Sequence, residues 1–290
     1  MGSGSWTTCS FRSYATTKGY NTTADGSISG SYSNQEMFKS KNLDPALNPK
    51  NVIRECRDTE EHPNTIPVII ALDVTGSMGD AAVEVAKKLN VIMTKLYENV
   101  TDVEFMVMGI GDLAYDSCPI QASQFESDIR IAEQLDKIYF EFGGGGNSYE
   151  SYTAAWYFGL RHTKLDCLKR GRKGIIITMG DEQLNPYLPK TGHWCGLAAA
   201  TGDDVQADIE TSDLYKEASQ KFNIYHLDVK HHRRWDDNEI PKTFKKYLDD
   251  KHFRTVNMDS ISDEIVDIIL KEAENNTVTK TMVNNSEITW

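Results

Sequence analysis

A chain of 290 residues, 39% hydrophobic and 26% charged, holds enough apolar material for one large domain or two small ones. Its formal net charge of −12 excludes a general nucleic-acid binder, which would need a basic excess, and fits either a solubilising surface or one that attracts cations. Five scattered cysteines (Cys9, Cys56, Cys118, Cys167, Cys195) with no C-x-x-C pair disfavour a disulfide framework and a zinc site, and no apolar stretch approaches bilayer-spanning length.

The start, MGSGSW, carries no apolar run of the secretory type, and Trp6 stands where a myristoylation pattern needs Ser or Thr. The expectation is a cytoplasmic, reducing environment, in which triplets such as Asn21-Thr22-Thr23 carry no glycan. Residues 1–62 are rich in Ser, Thr, Gly, Asn and Tyr without sustained apolar periodicity. They read as a polar arm that cannot fold alone and either packs on the body, docks on a partner or stays mobile, with Val52–Arg57 as a short edge strand.

From Pro63 the pattern changes to alternating strands and helices. IPVIIALD (66–73) is the all-apolar run of a strand buried on both faces. Asp80–Tyr97 places Val83, Ala86, Leu89, Ile92 and Leu96 at helical spacing. VEFMVMGIG (103–111) is a second strand, and Ile120–Phe125 a third, antiparallel and at an edge. A short helix over Asp128–Asp136 leads into EFGGGGNSYES and a helix over Thr153–His162. GIIITMGD (174–181) is another buried strand ending on an acid. An insertion at 182–203 contains Pro186, Pro189 and His193-Trp194-Cys195. A helix over Asp204–Lys221, a strand at 222–229, a helix over Ile240–Leu248, a strand at 252–256 and an amphipathic helix over Ile261–Leu270 complete the series. Ile261, Ile265, Ile268 and Ile269 form a core stripe, and residues 277–290 read as a polar tail. Such alternation predicts a three-layer α/β fold: a mainly parallel, Rossmann-like central sheet with helices on both faces.

Ligands of open α/β sheets bind beyond the carboxyl ends of the strands. Three loops leave such ends with oxygen donors. The first carries Asp73, Thr75 and Ser77 at alternate positions, a spacing suited to a hard divalent cation such as Mg²⁺. The second carries Asn147, Ser148 and Glu150 after Gly143–Gly146, and the third carries Asp181.

These residues resemble the von Willebrand factor A (vWA) family and its metal-ion-dependent adhesion site (MIDAS), over about residues 64–272. Asp73-Val74-Thr75-Gly76-Ser77 matches the family's Asp-x-Ser-x-Ser loop with one hydroxyl exchanged for another, and Asp181 matches its late Asp. The family's Thr from a Gly-rich loop is replaced by Asn147 or Ser148. The resemblance implies that Thr75 and Ser77 hold Mg²⁺ (or Mn²⁺ or Ca²⁺) directly, with Asp73 and Asp181 acting through water or by accepting hydrogen bonds from the hydroxyls. Few full charges then touch the ion, and it can take a Glu or Asp of a partner protein as its last ligand. The implied architecture is the arm 1–62, a vWA-like domain 63–276 with the 182–203 insertion, and the tail 277–290. Intracellular bacterial and phage members imply a partner such as a MoxR-type AAA+ ATPase, or a place in a phage or defence assembly. Net charge and the lack of a bilayer-spanning run predict neither a nucleic-acid nor a membrane partner.

Other readings of the same residues stand beside this one. The first loop alone is also a helix N-cap. Gly143–Gly146 lack the Lys of a phosphate-binding loop. A haloacid-dehalogenase-like phosphatase needs an acid where Thr75 stands. Asp73, Glu150, Asp181 and Glu182 would suit a metal-dependent hydrolase, but alcohols dominate and no His lies in the three loops. A structural domain of this type without metal is the third possibility. Around the site, Asp112 and Asp116 either line the same rim or, as the commoner case, form a solvated turn; Trp194 reads as packing the insertion onto the body; and Lys230–Trp235 either holds a phosphate or an acidic partner or, as the commoner case, is a solvated basic loop.

Overall fold

Val68, Ile70 and Leu72 point to one side of the first long strand, Ile69 and Ala71 to the other, and both sides are buried. That two-sided burial makes a central strand of the sheet. The computed structural model describes residues 4–141, 147–230 and 238–284, with side chains to 274 in the last helix. In chain order its main elements are α1 (Thr8–Thr17), β1 (Ile66–Asp73), α2 (Gly79–Tyr97), β2 (Val103–Ile110), β3 (Ile120–Ala122), α3 (Thr153–Arg161), β4 (Gly174–Gly180), α4 (Thr211–Lys221), β5 (Phe222–Lys230), β6 (Phe253–Asn257) and α5 (Ile261–Asn284).

The six strands lie in the order β6-β5-β4-β1-β2-β3. All neighbours are parallel except β3, which runs antiparallel to β2 at the edge, as its sequence predicts. One face is covered by α2 and α5, whose Leu89, Ile92, Ile265 and Ile269 join Val68 and Ile70 in one core. The other face is covered by α3 and α4, where Trp156, Phe158 and Leu214 meet Ile69, Met106 and Ile176. The fold is therefore the expected three-layer α/β sandwich. The chain leaves β1 toward β2 on one side and later returns to place β4 on the other. The sheet's topological switch lies between the ends of β1 and β4, where Asp73 and Asp181 stand.

The polar arm folds onto the body. Trp6, Phe11, Met37, Phe38 and Leu47 are buried in the same core as α2. Asn90 of α2 fixes this docking: its Oδ1 accepts from Trp6 Nε1 at 3.0 Å and its Nδ2 donates to the Asp25 carbonyl at 3.1 Å. Aromatic anchors set at irregular intervals thus replace the periodicity that the sequence lacks. Arg54–Cys56 forms a parallel ladder with Thr163–Leu165 rather than joining the main sheet. Its Arg54 donates to the carbonyl of Ala122 on β3 at 2.9 Å, covering that edge.

Three further boundaries differ from expectation. The helix expected from Asp204 begins at Thr211, because Ile209–Glu210 pair with Tyr187–Leu188 and Thr211 Oγ1 donates to the Asn185 carbonyl at 2.7 Å. The insertion therefore reaches beyond 203. The last helix runs past residue 277 to Asn284. Among the described residues no helix is long and apolar enough to cross a membrane.

Candidate functional site

Both carboxylate oxygens of Asp73, at the end of β1, are engaged. Oδ1 accepts from the Thr75 amide at 2.9 Å and from Thr75 Oγ1 at 2.5 Å; Oδ2 accepts from the Tyr152 hydroxyl at 2.8 Å. Ser77 Oγ donates to Asp181 Oδ1 at 3.1 Å across the switch point. The hydroxyl oxygens of Thr75 and Ser77 stand 3.3 Å apart. Each hydroxyl has one proton, and each lies within donating distance of a carboxylate. The 3.3 Å approach puts the two oxygens within hydrogen-bonding distance of each other, and either can donate. Ser77 is exposed, whereas Thr75 is buried beside it.

The electrostatics point the same way. Asp73 is buried, and its carboxyl is pushed up to about 7, first by burial and then by the nearby charge of Asp181; hydrogen bonds from Thr75 and Tyr152 oppose the rise. Glu150, also buried, is raised well above the usual carboxylate range by burial and then by Asp73, Asp116, Asp112 and Glu182. Its Oε2 has no hydrogen-bond partner among the described residues. Alcohol oxygens facing one another beside mutually repelling carboxylates form a donor set that fits a hard cation. Among the described residues no group of three or more His, Cys, Asp or Glu gathers in metal-binding geometry.

The three loops do converge. Thr75 forms a β-bridge with Glu141, at the start of the Gly-rich loop, and Tyr149–Glu150 pair with Gln183–Leu184 just after β4. Gly143–Gly146 lie outside the described residues, as do residues 231–235 of the basic stretch. Asp73, Thr75, Ser77 and Asp181 form one hydrogen-bonded chain. Asn147 is not joined to it: its Nδ2 donates to Asp112 Oδ2 and its Oδ1 accepts from the Tyr149 amide, both at 2.9 Å. The Asn147 side chain is held by the neighbouring loop.

That neighbouring loop is not a solvated turn. Asp112 and Asp116 are buried, and Asp116 Oδ2 accepts from the Asp112 amide at 2.7 Å. Burial raises Asp112 and pushes Asp116 up to about 6. Asp112 Oδ1 accepts from the Ala114 amide at 2.8 Å, an Asx turn whose carboxylate has no reason to reach solvent. Trp194 is likewise corrected. It is 72% exposed, and the insertion is attached instead through the His193 amide, which donates to the Ala114 carbonyl at 2.7 Å.

Sequence reasoning missed Tyr152. Its ring is fully buried against His226 and Phe244, with centroids 4.9 and 5.8 Å away. Its hydroxyl joins two loops, donating to Asp73 and accepting from the Glu182 amide at 3.2 Å. Gly180 makes room for it: a Cβ there would lie 1.9 Å from the hydroxyl. A Tyr in YESYT and a Gly in TMGD are unremarkable separately, and only the fold brings them together.

No family model matches the chain, and no curated protein sequence does. Among solved structures it is similar to the pilus adhesin SpaC from Lactobacillus rhamnosus GG in its open conformation (12% identity, 78% of this chain and 31% of that one, TM-score 0.48). It is also similar to the vWF domain of the type V pili tip protein Mfa5 from Porphyromonas gingivalis (13% identity, 72% and 95%, TM-score 0.40). A third similar structure is proximal thread matrix protein 1 from the mussel byssus (13% identity, 72% and 46%, TM-score 0.41). The chain thus spans about a third of the length of the SpaC structure.

Proposed function

We propose that this chain is a vWA-like module that binds a partner protein through a divalent cation. The observation that supports this best is the pair of hydroxyl oxygens, Thr75 and Ser77, 3.3 Å apart and each hydrogen-bonded to a carboxylate, Asp73 and Asp181. Thr75 and Ser77 would hold the ion directly. Asp73 and Asp181 would orient those alcohols and balance charge from behind. When bound, Mg²⁺ (or Mn²⁺ or Ca²⁺) supplies an electrophilic position that a carboxylate can fill. The chain's own residues do the rest: Tyr152 fixes Asp73, Asp73 fixes Thr75, and Ser77 at the solvent boundary marks where the partner's Glu or Asp arrives. A binding role suits this donor set better than hydrolysis, because hydroxyls rather than acids supply the direct ligands. A MoxR-type AAA+ ATPase, or a neighbour in a phage or defence assembly, is the partner class that the sequence resemblance favours, in the cytoplasm.

Titration calorimetry with Mg²⁺ and Mn²⁺, on wild type and Asp73→Ala, tests the cation. Heat in the wild type that disappears in the variant supports the reading; no heat in either would leave only a structural domain. A pull-down in Mg²⁺ against EDTA then identifies the partner lost on chelation. EDTA-sensitive turnover of phosphoesters would overturn the binding role in favour of catalysis.

A further inference from the structure

One helical turn of the arm, Asn34–Met37, reaches the segments that carry Thr75 and Ser77. Ser33 and Glu36 close a capping box at its start: the Ser33 amide and hydroxyl both donate to Glu36 Oε2 at 2.8 Å. The Phe38 amide donates to the Asn34 carbonyl at 2.6 Å, which sets Asn34 and Phe38 one turn apart. Each of the two touches a different segment. Asn34 packs against Gly79, the first residue of α2 and two residues after Ser77; a Cβ on Gly79 would lie 2.7 Å from Asn34 Cγ, 2.9 Å from its Cβ and closer still to Nδ2. Phe38 packs on Phe140 with ring centroids 4.7 Å apart, and both rings are buried. Phe140 precedes Glu141, the bridge partner of Thr75, and Ser40 of the arm bridges Tyr139.

The start of α2 needs such support. Met78 stands at its N-cap and offers no capping oxygen, so packing rather than a cap sets where the helix begins. Val74 and Met78, the neighbours of Thr75 and Ser77, share one buried cluster with Met37, Phe38 and Phe140. The stretch 139–141 lies outside the six-stranded sheet. Besides its bridges to Ser40 and Thr75, it is held by Gln121 of β3, whose Nε2 donates to the Tyr139 carbonyl at 2.6 Å and whose Oε1 accepts from the Tyr139 amide at 2.9 Å. A dense cluster transmits a displacement at Phe38 or Asn34 to the residues between them.

We infer that Asn34 and Phe38 are positioning residues for the candidate cation site: their turn holds the start of α2 and the 139–141 stretch in register, and with them Ser77 and Thr75. The effect on an ion rests on the cation reading; the effect on the loop does not. Gly79 has helical backbone (φ −55°, ψ −39°), so Gly79→Ala acts through its clash with Asn34, and Asn34→Gly removes the obstructing atoms. Gly79→Ala and Phe38→Ala should each weaken Mg²⁺ binding about tenfold in calorimetry. Adding Asn34→Gly to Gly79→Ala should return the affinity to within about twofold of wild type. Asn90→Ala, which loosens the arm at Trp6 and Asp25, controls for lost stability and should stay within about twofold of wild type. In EDTA, hydrogen exchange of the backbone amides at 74–79 should quicken in Gly79→Ala and Phe38→Ala but not in Asn90→Ala. If Phe38→Ala fails to fold, Gly79→Ala and its rescue carry the test. Wild-type affinity in the arm-contact variants, equal weakening by Asn90→Ala, or no rescue by Asn34→Gly would each overturn the inference. No Mg²⁺ heat in the wild type sinks the cation reading alone; the exchange comparison then decides the role of the turn, and unchanged exchange at 74–79 overturns it.

Discussion

Replacing Gly180 with Ala tests the geometry of the site without touching any candidate ligand. The added Cβ would lie 1.9 Å from the Tyr152 hydroxyl, 2.3 Å from Cζ and 2.4 Å from Cε1. Restoring the 3.4 Å of ordinary contact needs a shift of about 1.5 Å, in a ring with 0% exposure that is packed on His226 and Phe244. Overpacking of this kind costs about 1–3 kcal/mol. Moving the ring also breaks the hydroxyl's bonds to Asp73 and to the Glu182 amide, a further loss of about 2 kcal/mol given that one acceptor is a carboxylate. Gly180→Ala should therefore lose about 3–5 kcal/mol in urea unfolding. Tyr152→Phe, which removes only the hydroxyl, should lose about 2 kcal/mol. In a Tyr152→Ala background, where the obstructing atoms are gone, Gly180→Ala should cost less than about 1 kcal/mol, a coupling that a double-mutant cycle reads directly. A Gly180→Ala protein within about 1 kcal/mol of wild type, or equal costs in both backgrounds, would refute the placement of Tyr152 and with it the fixed position of Asp73.

Asn147→Ala should change Mg²⁺ affinity by less than about threefold, because its amide is committed to Asp112 and Tyr149, whereas Thr75→Val and Asp181→Ala should abolish the calorimetric signal; a reversed ranking would restore Asn147 as a ligand. His226 is fully buried, and burial followed by the charge of Lys230 holds its imidazole well below its usual value. A base depressed in the folded state contributes stability above its unfolded value that is lost as pH falls, so this group removes up to about 1.4 kcal/mol per pH unit below about 6.5. Asp73, raised to about 7, acts with the opposite sign, stabilising at low pH and losing that contribution as pH rises through its folded value. The wild type minus His226→Phe difference in urea midpoints between pH 8 and 5 isolates the histidine, and a flat difference would contradict its burial as the neutral form. Asn90→Ala strands the Trp6 indole N–H and the Asp25 carbonyl, for a loss of about 2–3 kcal/mol and faster proteolysis of the arm; an unchanged digestion pattern would show that the arm is held elsewhere.

The central sheet was legible because its strands are buried on both faces and announce themselves as continuous apolar runs, as in residues 66–73, 103–110 and 174–180. Asp73, Thr75 and Ser77 were legible for a different reason: they follow one such run within a few residues, so a single local segment places all of them. Asp181 was legible because strand order alone puts the end of β4 beside the end of β1. What could not be read depended on contacts between distant segments. The arm's aromatics find α2 through Asn90, which looks like any helix residue until Trp6 and Asp25 bracket it. Asp112 and Asp116 read as solvated because acids in turns usually are, and their burial follows from the Asn147 and Ser151 side chains and the insertion closing over them. Trp194 read as buried for the converse reason, and its exposure follows from backbone pairing at His193 that leaves the indole no core to enter.

The position of Asp73 carries the chemical argument furthest. A carboxylate at a strand end next to two alcohols would ordinarily compete with them for a cation and neutralise it. Here Oδ1 is held by the Thr75 amide and hydroxyl, and Oδ2 by the Tyr152 hydroxyl, so neither oxygen can turn outward without surrendering a buried hydrogen bond. The cost of that surrender, about 1–3 kcal/mol for each stranded group, holds the acid behind the alcohols. Tyr152, through its bond to Asp73, thereby helps hold the acid in place behind the alcohols. An ion held by Thr75 and Ser77 would keep more of its charge than one gripped by Asp73, and under the proposed function that retained charge would attract the carboxylate of a partner.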